Sequence, residues 1–188
     1  MAREPVTRAR LEQFLQRLGR GFRGSGRLYL VGGAQMVQAG FRAQTQDVDY
    51  VAELFTSDDQ AFIRAVRELI RALNINVEQA GPGDFIPLPR GWEGRSRFLG
   101  RYGDLDVFAF DPISTALSKI ERGTDQDIDD ALALLRTGRI TVADLTAAFE
   151  EIVPRLETEA LLRVDEEDFR RKFSAFMALA AREEPEPS

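Results

Sequence analysis

Leu28-Tyr29-Leu30-Val31-Gly32-Gly33, followed after thirteen intervening residues by Asp47-Val48-Asp49-Tyr50-Val51, is the stretch that decides the fold. Arg27 to Val31 is a short apolar run of strand-forming residues, and Gly32-Gly33 closes it. Ala34 to Ala39 reads as a helix with Gly40 as its C-terminal stop. Asp47 to Val51 alternates polar and apolar residues, as a half-buried strand does. The pattern is therefore strand, glycine turn, helix, strand.

Upstream, Pro5 to Leu18 carries Leu11, Phe14, Leu15 and Leu18 on one helical stripe, ended by Gly21, Gly24 and Gly26. Downstream, Asp58-Asp59 opens a helix bearing Phe62, Ile63, Val66, Leu69 and Ile70, its acidic first turn matched to the helix dipole. Residues 81–91, with three prolines and three glycines, read as irregular. Arg97–Arg101 and Asp104–Phe110 flank Tyr102-Gly103 as a hairpin. Asp111-Pro112 starts a helix that breaks at Gly123 and resumes over 125–135. Thr141 to Asp144 forms a capping box for a helix ended by Pro154. Asp165 caps a last helix with Phe169, Phe173, Phe176 and Met177 on one face. The polar tail from Glu183 to Ser188 is expected to be disordered.

Composition narrows the chemistry. The chain of 188 residues has neither cysteine nor histidine. Thiol nucleophiles, cysteine-held metal clusters, Ser-His-Asp triads and imidazole bases are excluded. Catalysis would have to come from carboxylates, hydroxyls, arginine, backbone amides or the two lysines, Lys119 and Lys172. The N-terminus lacks a signal-peptide apolar region and no run spans a bilayer, so a cytoplasmic protein without membrane contact is expected. Net charge is -6, unevenly spread: residues 141–188 hold 12 acidic and 6 basic side chains, whereas residues 1–27 hold seven arginines against Glu4 and Glu12. Such a basic N-terminus permits a polyanion partner without demanding one, and a solvated face is the preferred reading.

Three features carry possible chemistry. The Gly32-Gly33 turn lets backbone amides and a helix N-terminus approach an anion, although such turns also occur without function. Asp47 and Asp49, at i and i+2 of a strand, point to the same side and offer hard oxygens to a divalent cation, unless they are simply an exposed strand face. Asp104-Leu105-Asp106-Val107 repeats that carboxylate spacing, with Asp106 between apolar neighbours.

Together these residues resemble the nucleotidyltransferase superfamily, whose polymerase-β-like fold carries a Gly-Gly or Gly-Ser turn, an Asp-x-Asp pair and a third Asp on a later strand. Leu30-Val31-Gly32-Gly33 matches the first motif, with Gly33 where many members carry Ser, and Asp47-Val48-Asp49 matches the second. The third acid falls on Asp106. The resemblance implies an α+β fold: a nucleotidyltransferase-like mixed β-sheet flanked by helices, with C-terminal helices. It also implies that Asp47, Asp49 and Asp106 are catalytic and hold Mg²⁺ (or Mn²⁺) against the phosphates of an NTP, with Gly32 and Gly33 cradling them.

Leu117-Ser118-Lys119-Ile120-Glu121-Arg122, with Asp125-Gln126-Asp127-Ile128-Asp129-Asp130, is similar to a Lys-x-x-Arg…Asp segment of small prokaryotic nucleotidyltransferase-like proteins. These include uncharacterised and toxin–antitoxin-related families, and Phe85 to Trp92 also resembles a Pro-Leu-Pro-x-Gly segment of that group. Lys119, Arg122 and Asp127 are accordingly expected at the nucleotide, Lys119 as a point charge on a phosphate. Without the resemblance, Lys119 reads equally well as a solvated lysine and Asp127 as a dipole-matched first-turn residue.

The expected organisation is an N-terminal helix and glycine-rich loop (1–26), an α/β core (27–122), a helical part (123–182) and the tail (183–188). The expected function is Mg²⁺-dependent transfer of NMP from an NTP to an acceptor such as RNA, a protein hydroxyl or a small molecule. The alternative is a non-catalytic binding module on the same fold, such as an antitoxin.

Overall fold

The structure, a computed structural model, describes residues 3–55, 59–159 and 164–183. Asp58 and the tail residues 184–188 lie outside the described residues. The chain divides into two compact units, residues 1–81 with 96–110 and residues 82–95 with 111–188.

In the first unit, a pair of residues, β1 (Val6–Thr7), precedes α1 (Arg8–Gly21). The helix thus starts three residues later than Pro5, because Val6 and Thr7 pair with β3 (Gln44–Thr45) and the Thr7 hydroxyl accepts from Arg10 N. Next come β2 (Gly26–Leu30), α2 (Gly32–Ala39) and β4 (Asp47–Leu54). Then follow α3 (Asp59–Leu73), β5 (Asn76–Gln79) and the hairpin of β6 (Arg97–Tyr102) and β7 (Leu105–Ala109). Five strands form one mixed sheet in the order β5-β4-β2-β7-β6. β2 runs antiparallel to β4 and parallel to β7, β5 runs parallel to β4, and β6 pairs antiparallel with β7.

One sheet face is apolar. Leu28 and Leu30 of β2, Val48 and Tyr50 of β4, and Leu105 and Val107 of β7 alternate onto it, as the pleat demands. They pack with Leu11, Phe14, Leu15 and Leu18 of α1 and with Phe62, Val66, Leu69 and Leu73 of α3. The two helices lie side by side and antiparallel. Phe22, after α1, meets Phe62 edge-on at 5.2 Å, while Arg10 donates to the Leu73 carbonyl at the opposite end. The other sheet face carries the alternate residues, among them Asp47, Asp49 and Asp106.

The second unit is helical. It comprises a 3₁₀ turn (Pro82–Asp84), α4 (Trp92–Arg95), α5 (Pro112–Arg122), α6 (Asp125–Arg136) and α7 (Val142–Ile152). After a turn at 153–155 come α8 (Leu156–Glu159) and α9 (Glu166–Glu183). α5 is its central element, buried almost continuously from Ile113 to Ile120. Asp111 caps it, accepting from the backbone amides of Ile113 and Ser114, and Pro112 occupies the first helical position. Phe149 of α7 stacks flat on Phe173 of α9 at 3.9 Å and meets Phe169 edge-on. The architecture is α+β with C-terminal helices, as the sequence implies. Among the described residues no helix is long and apolar enough to cross a membrane.

Candidate active site

The Asp-x-Asp pair sits where β4 begins, between the strand that ends in the glycine turn and a strand that sequence reading missed. Asp47 is level with Asn76 of β5, and Asp49 with Glu78. The Asn76 amide ties the row together: its Nδ2 donates to Asp47 Oδ1 and to Glu78 Oε1, both at 2.7 Å. Asp47 and Asp49 are half-buried, and Glu78 is exposed. On the other side, the amide of Val31 donates to the Asp49 carbonyl at 3.1 Å, which fixes Asp49 beside the turn.

That turn is built for close approach. Gly32 has φ +54°, and a Cβ placed on it would lie 2.7 Å from Asp49 Oδ2. Any side chain there would displace the carboxylate. Gly32 is also the first residue of α2, so the carboxylate faces a helix N-terminus whose end of the dipole is positive. At Gly33 a Cβ would lie 2.1 Å from the hydroxyl of Thr45. The space that a serine would fill beside this turn is therefore occupied by the hydroxyl of Thr45.

Asp106 is not part of this group. It shares the sheet face but stands opposite Arg27, which in turn stands opposite Glu53, four residues along β4 from Asp49. At the rise of a strand, that is about 13 Å, with β2 intervening. Its carboxylate is held by Arg101 of β6 through paired bonds of 2.7 and 2.9 Å. This hydrogen bonding to Arg101 holds Asp106 below the usual carboxylate range. The expected convergence of Asp47, Asp49 and Asp106 is thus not met. The nearest third carboxylate to the pair, by register, is Glu78. Among the described residues no three acidic side chains are gathered closely enough to form a complete metal cage.

Lys119, Arg122 and Asp127 belong to the second unit. Lys119 is buried, and its ammonium lies 2.9 Å from Asp127 Oδ1 and 2.7 Å from Asp130 Oδ2. Arg122 reaches Asp127 at 3.3 Å and lies over the Phe85 ring at 5.4 Å. Thr124 caps α6 and also donates to Asp127. Burial pushes the Asp127 carboxyl up, but the bond and charge of Lys119, with Thr124 and Arg122, outweigh it and leave the group below its usual range. The sequence segment that joins these residues is a locked α5–α6 corner: one ammonium satisfies two carboxylates of the following helix.

Arg90 and Arg95, which precede β6, are engaged as well. Arg95 grips the fully buried Asp111 with two bonds and donates to the carbonyls of Pro89 and Arg90. Arg90 pairs with Glu151. The proline-rich segment is thereby tied to the start of α5 and to α7.

No curated protein and no solved structure matches the chain. A family model does, over residues 10–177, and its description is "nucleotidyltransferase of unknown function (DUF6036)". Residues 10–177 take in the glycine turn, the Asp-x-Asp pair and the Lys119 corner alike, and the chain belongs to this nucleotidyltransferase family.

Proposed function

We propose that the chain transfers a nucleoside monophosphate from an NTP to a hydroxyl acceptor in a reaction that depends on a divalent cation. The observation that carries this reading is the row of Asp47, Asp49 and Glu78 along one sheet face, with Asp49 against Gly32 at the start of α2. The donor set suits Mg²⁺ or Mn²⁺. Both are hard ions that take oxygen ligands, and Mg²⁺ is commonly held by one or two carboxylates plus substrate phosphates rather than by a full protein cage. Asp47 and Asp49 are the residues that would hold it, with substrate phosphates completing the set; Asp106 is not among them. Such an ion supplies neutralisation of phosphate charge and acidifies an acceptor hydroxyl.

The chain's own residues do the positioning. The bare backbone at Gly32 and the first amides of α2 receive the phosphates that carboxylates alone would repel. Asn76 holds Asp47 and Glu78 in place, so little rearrangement is needed when substrate arrives. The acceptor oxygen bonds to the α-phosphorus, its proton passes to a neighbouring carboxylate, and the bond to the departing pyrophosphate breaks.

Calorimetric titration of ATP, GTP, CTP and UTP with Mg²⁺ tests the reading. At least one NTP is expected to bind wild type, and Asp49→Asn to abolish the metal-dependent part. Absence of binding by every NTP at millimolar concentration would replace the transferase with a non-catalytic module of the antitoxin type.

A further inference from the structure

The outer surface of α1 and α3 carries a charge pattern that the carboxylate row does not use. Opposite its buried stripe, α3 exposes Arg64, Arg67 and Arg71, spaced three and four residues apart on one ridge. Alongside, α1 exposes Arg17 and Arg20, and Arg23 follows its C-terminus. The Phe22–Phe62 contact and the Arg10–Leu73 bond align the two helices, so these side chains form one field. None of the six guanidiniums makes a hydrogen bond, ion pair or ring contact with a described residue. Elsewhere in the chain arginine is heavily used: Arg10, Arg95, Arg101, Arg122 and Arg155 all hold carboxylates. Against the six arginines the stretch 64–71 of α3 sets only Glu68, so the face keeps a net positive charge whose self-repulsion a polyanion relieves.

A second observation lies at the end of the same field. Phe55 follows β4, and its amide bonds to the Ser25 carbonyl, two residues beyond Arg23. Its ring is 63% exposed and has the Arg27 guanidinium 5.7 Å from its centre. An exposed aromatic ring with an arginine over one face suits an unpaired base, which stacks on the ring while neighbouring phosphates meet the guanidiniums. An acidic peptide would use the arginines but leave the ring unused. A regular DNA duplex would leave it unused too, since its bases stay stacked.

We propose that the α1–α3 face is a binding surface for RNA, with the six arginines on its phosphates and Phe55 under one unpaired base. This deepens the transferase reading by naming RNA as the acceptor class, and to that extent rests on it.

The test is binding of a fluorescein-labelled tRNA by anisotropy at several salt concentrations. Wild type is expected to bind with steep salt dependence. In Arg64→Gln/Arg67→Gln/Arg71→Gln the affinity is expected to fall at least about tenfold and the log–log salt slope to flatten by about two to three, the release of the counterions those contacts displace. Phe55→Ala should weaken tRNA binding while leaving the salt slope unchanged. Arg139→Gln/Arg182→Gln, which neutralises exposed arginines of the second unit, should match wild type. The triple variant should melt close to wild type, since the three side chains are exposed and hold no described partner, and should bind NTP normally. The proposal is overturned by wild type that does not bind tRNA, by equal losses in both arginine variants, or by tighter binding to a DNA duplex. It is also overturned if the face proves to hold an acidic protein surface, seen as salt-sensitive self-association that only the triple variant abolishes. Retained tRNA binding in a chain that binds no NTP would sink the transferase reading and leave the surface standing.

Discussion

Asp49 and Asp106 look alike in the sequence, each the second acid of an Asp-x-Asp, and the structure gives them opposite surroundings. Asp49 faces a glycine turn and is level with Glu78 of β5; Asp106 is neutralised by Arg101. Mg²⁺ or Mn²⁺ is therefore expected to raise the melting temperature of wild type and of Asp106→Asn, and to leave Asp49→Asn unchanged. Thermal melts with and without metal decide between them, and a lost response in Asp106→Asn would return that residue to the metal site. Lys119 makes a different kind of forecast. Removing the ammonium that Asp127 and Asp130 share takes the buried cation from both and leaves Asp127 with Arg122 and Thr124, so Lys119→Met should cost about 3–5 kcal/mol in urea unfolding. The pair also sets an acid limit. Asp127 has a folded pKa below its usual 3.8, so its contribution is complete above that value and is lost as pH falls through the lower folded one. Asp127→Asn should accordingly be less stable than wild type at neutral pH and lose less on acidification below about pH 4.

At the scale of elements, α1 is placed by a contact between two glycines. A Cβ on Gly19 would lie 2.3 Å from the Tyr102 carbonyl carbon, and one on Gly103, with φ +62°, would lie 2.1 Å from the Gly19 carbonyl oxygen. The helix therefore rests directly on the backbone of the β6–β7 turn. Alanine favours a helix interior by up to about 1 kcal/mol over glycine, yet Gly19→Ala should destabilise, by about 1–3 kcal/mol or more, because backbone cannot yield as a flexible side chain does. An unchanged denaturation midpoint would show that the helix can lift off the turn.

Helix boundaries were legible where a local device sets them. Asp111-Pro112, the Thr141–Asp144 pair and Asp165 each cap the helix they announce. β5 was not legible: four residues with a single buried side chain, Val77, carry too little alternation to stand out after α3. With β5 went Glu78 and Asn76. The position of Asp106 was hidden for another reason. Its spacing shows which face it takes, but its distance from Asp49 depends on strand order and register, which arise only when β7 docks beside β2. The Lys119 segment was recognised as a unit, while its pairing with Asp130 depends on how α6 folds back along α5.

At the scale of the whole molecule, all three tyrosines resist ionisation. Burial raises Tyr50, burial with the Glu53 charge raises Tyr29, and burial with the Glu12 hydrogen bond pushes Tyr102 up to about 12. A phenol with a folded pKa above its unfolded value near 10 stabilises the fold below that pH and ceases to do so as pH climbs towards 12. Tyrosinate absorbance should stay low until pH exceeds about 10 and then rise together with loss of helical circular dichroism. A tyrosine titrating near 10 in protein that is still folded would contradict this.

The path of the chain through the two units governs the order in which the protein can be made. Residues 82–95 leave the first unit for the second before 96–110 return as the β6–β7 hairpin. β2 lies between β4 and β7 in the finished sheet, so it lacks one neighbour until residue 109 has been synthesised. A nascent chain stopped at residue 81 therefore presents an open strand edge, and α1 has no turn on which to rest. During translation the glycine turn and the Asp-x-Asp pair emerge early, but on a half-built sheet that is prone to pair with its neighbours on adjacent ribosomes. Arrest at residue 81 should leave a chain that aggregates or recruits a chaperone, and arrest with residue 110 clear of the ribosome should leave one that resists protease.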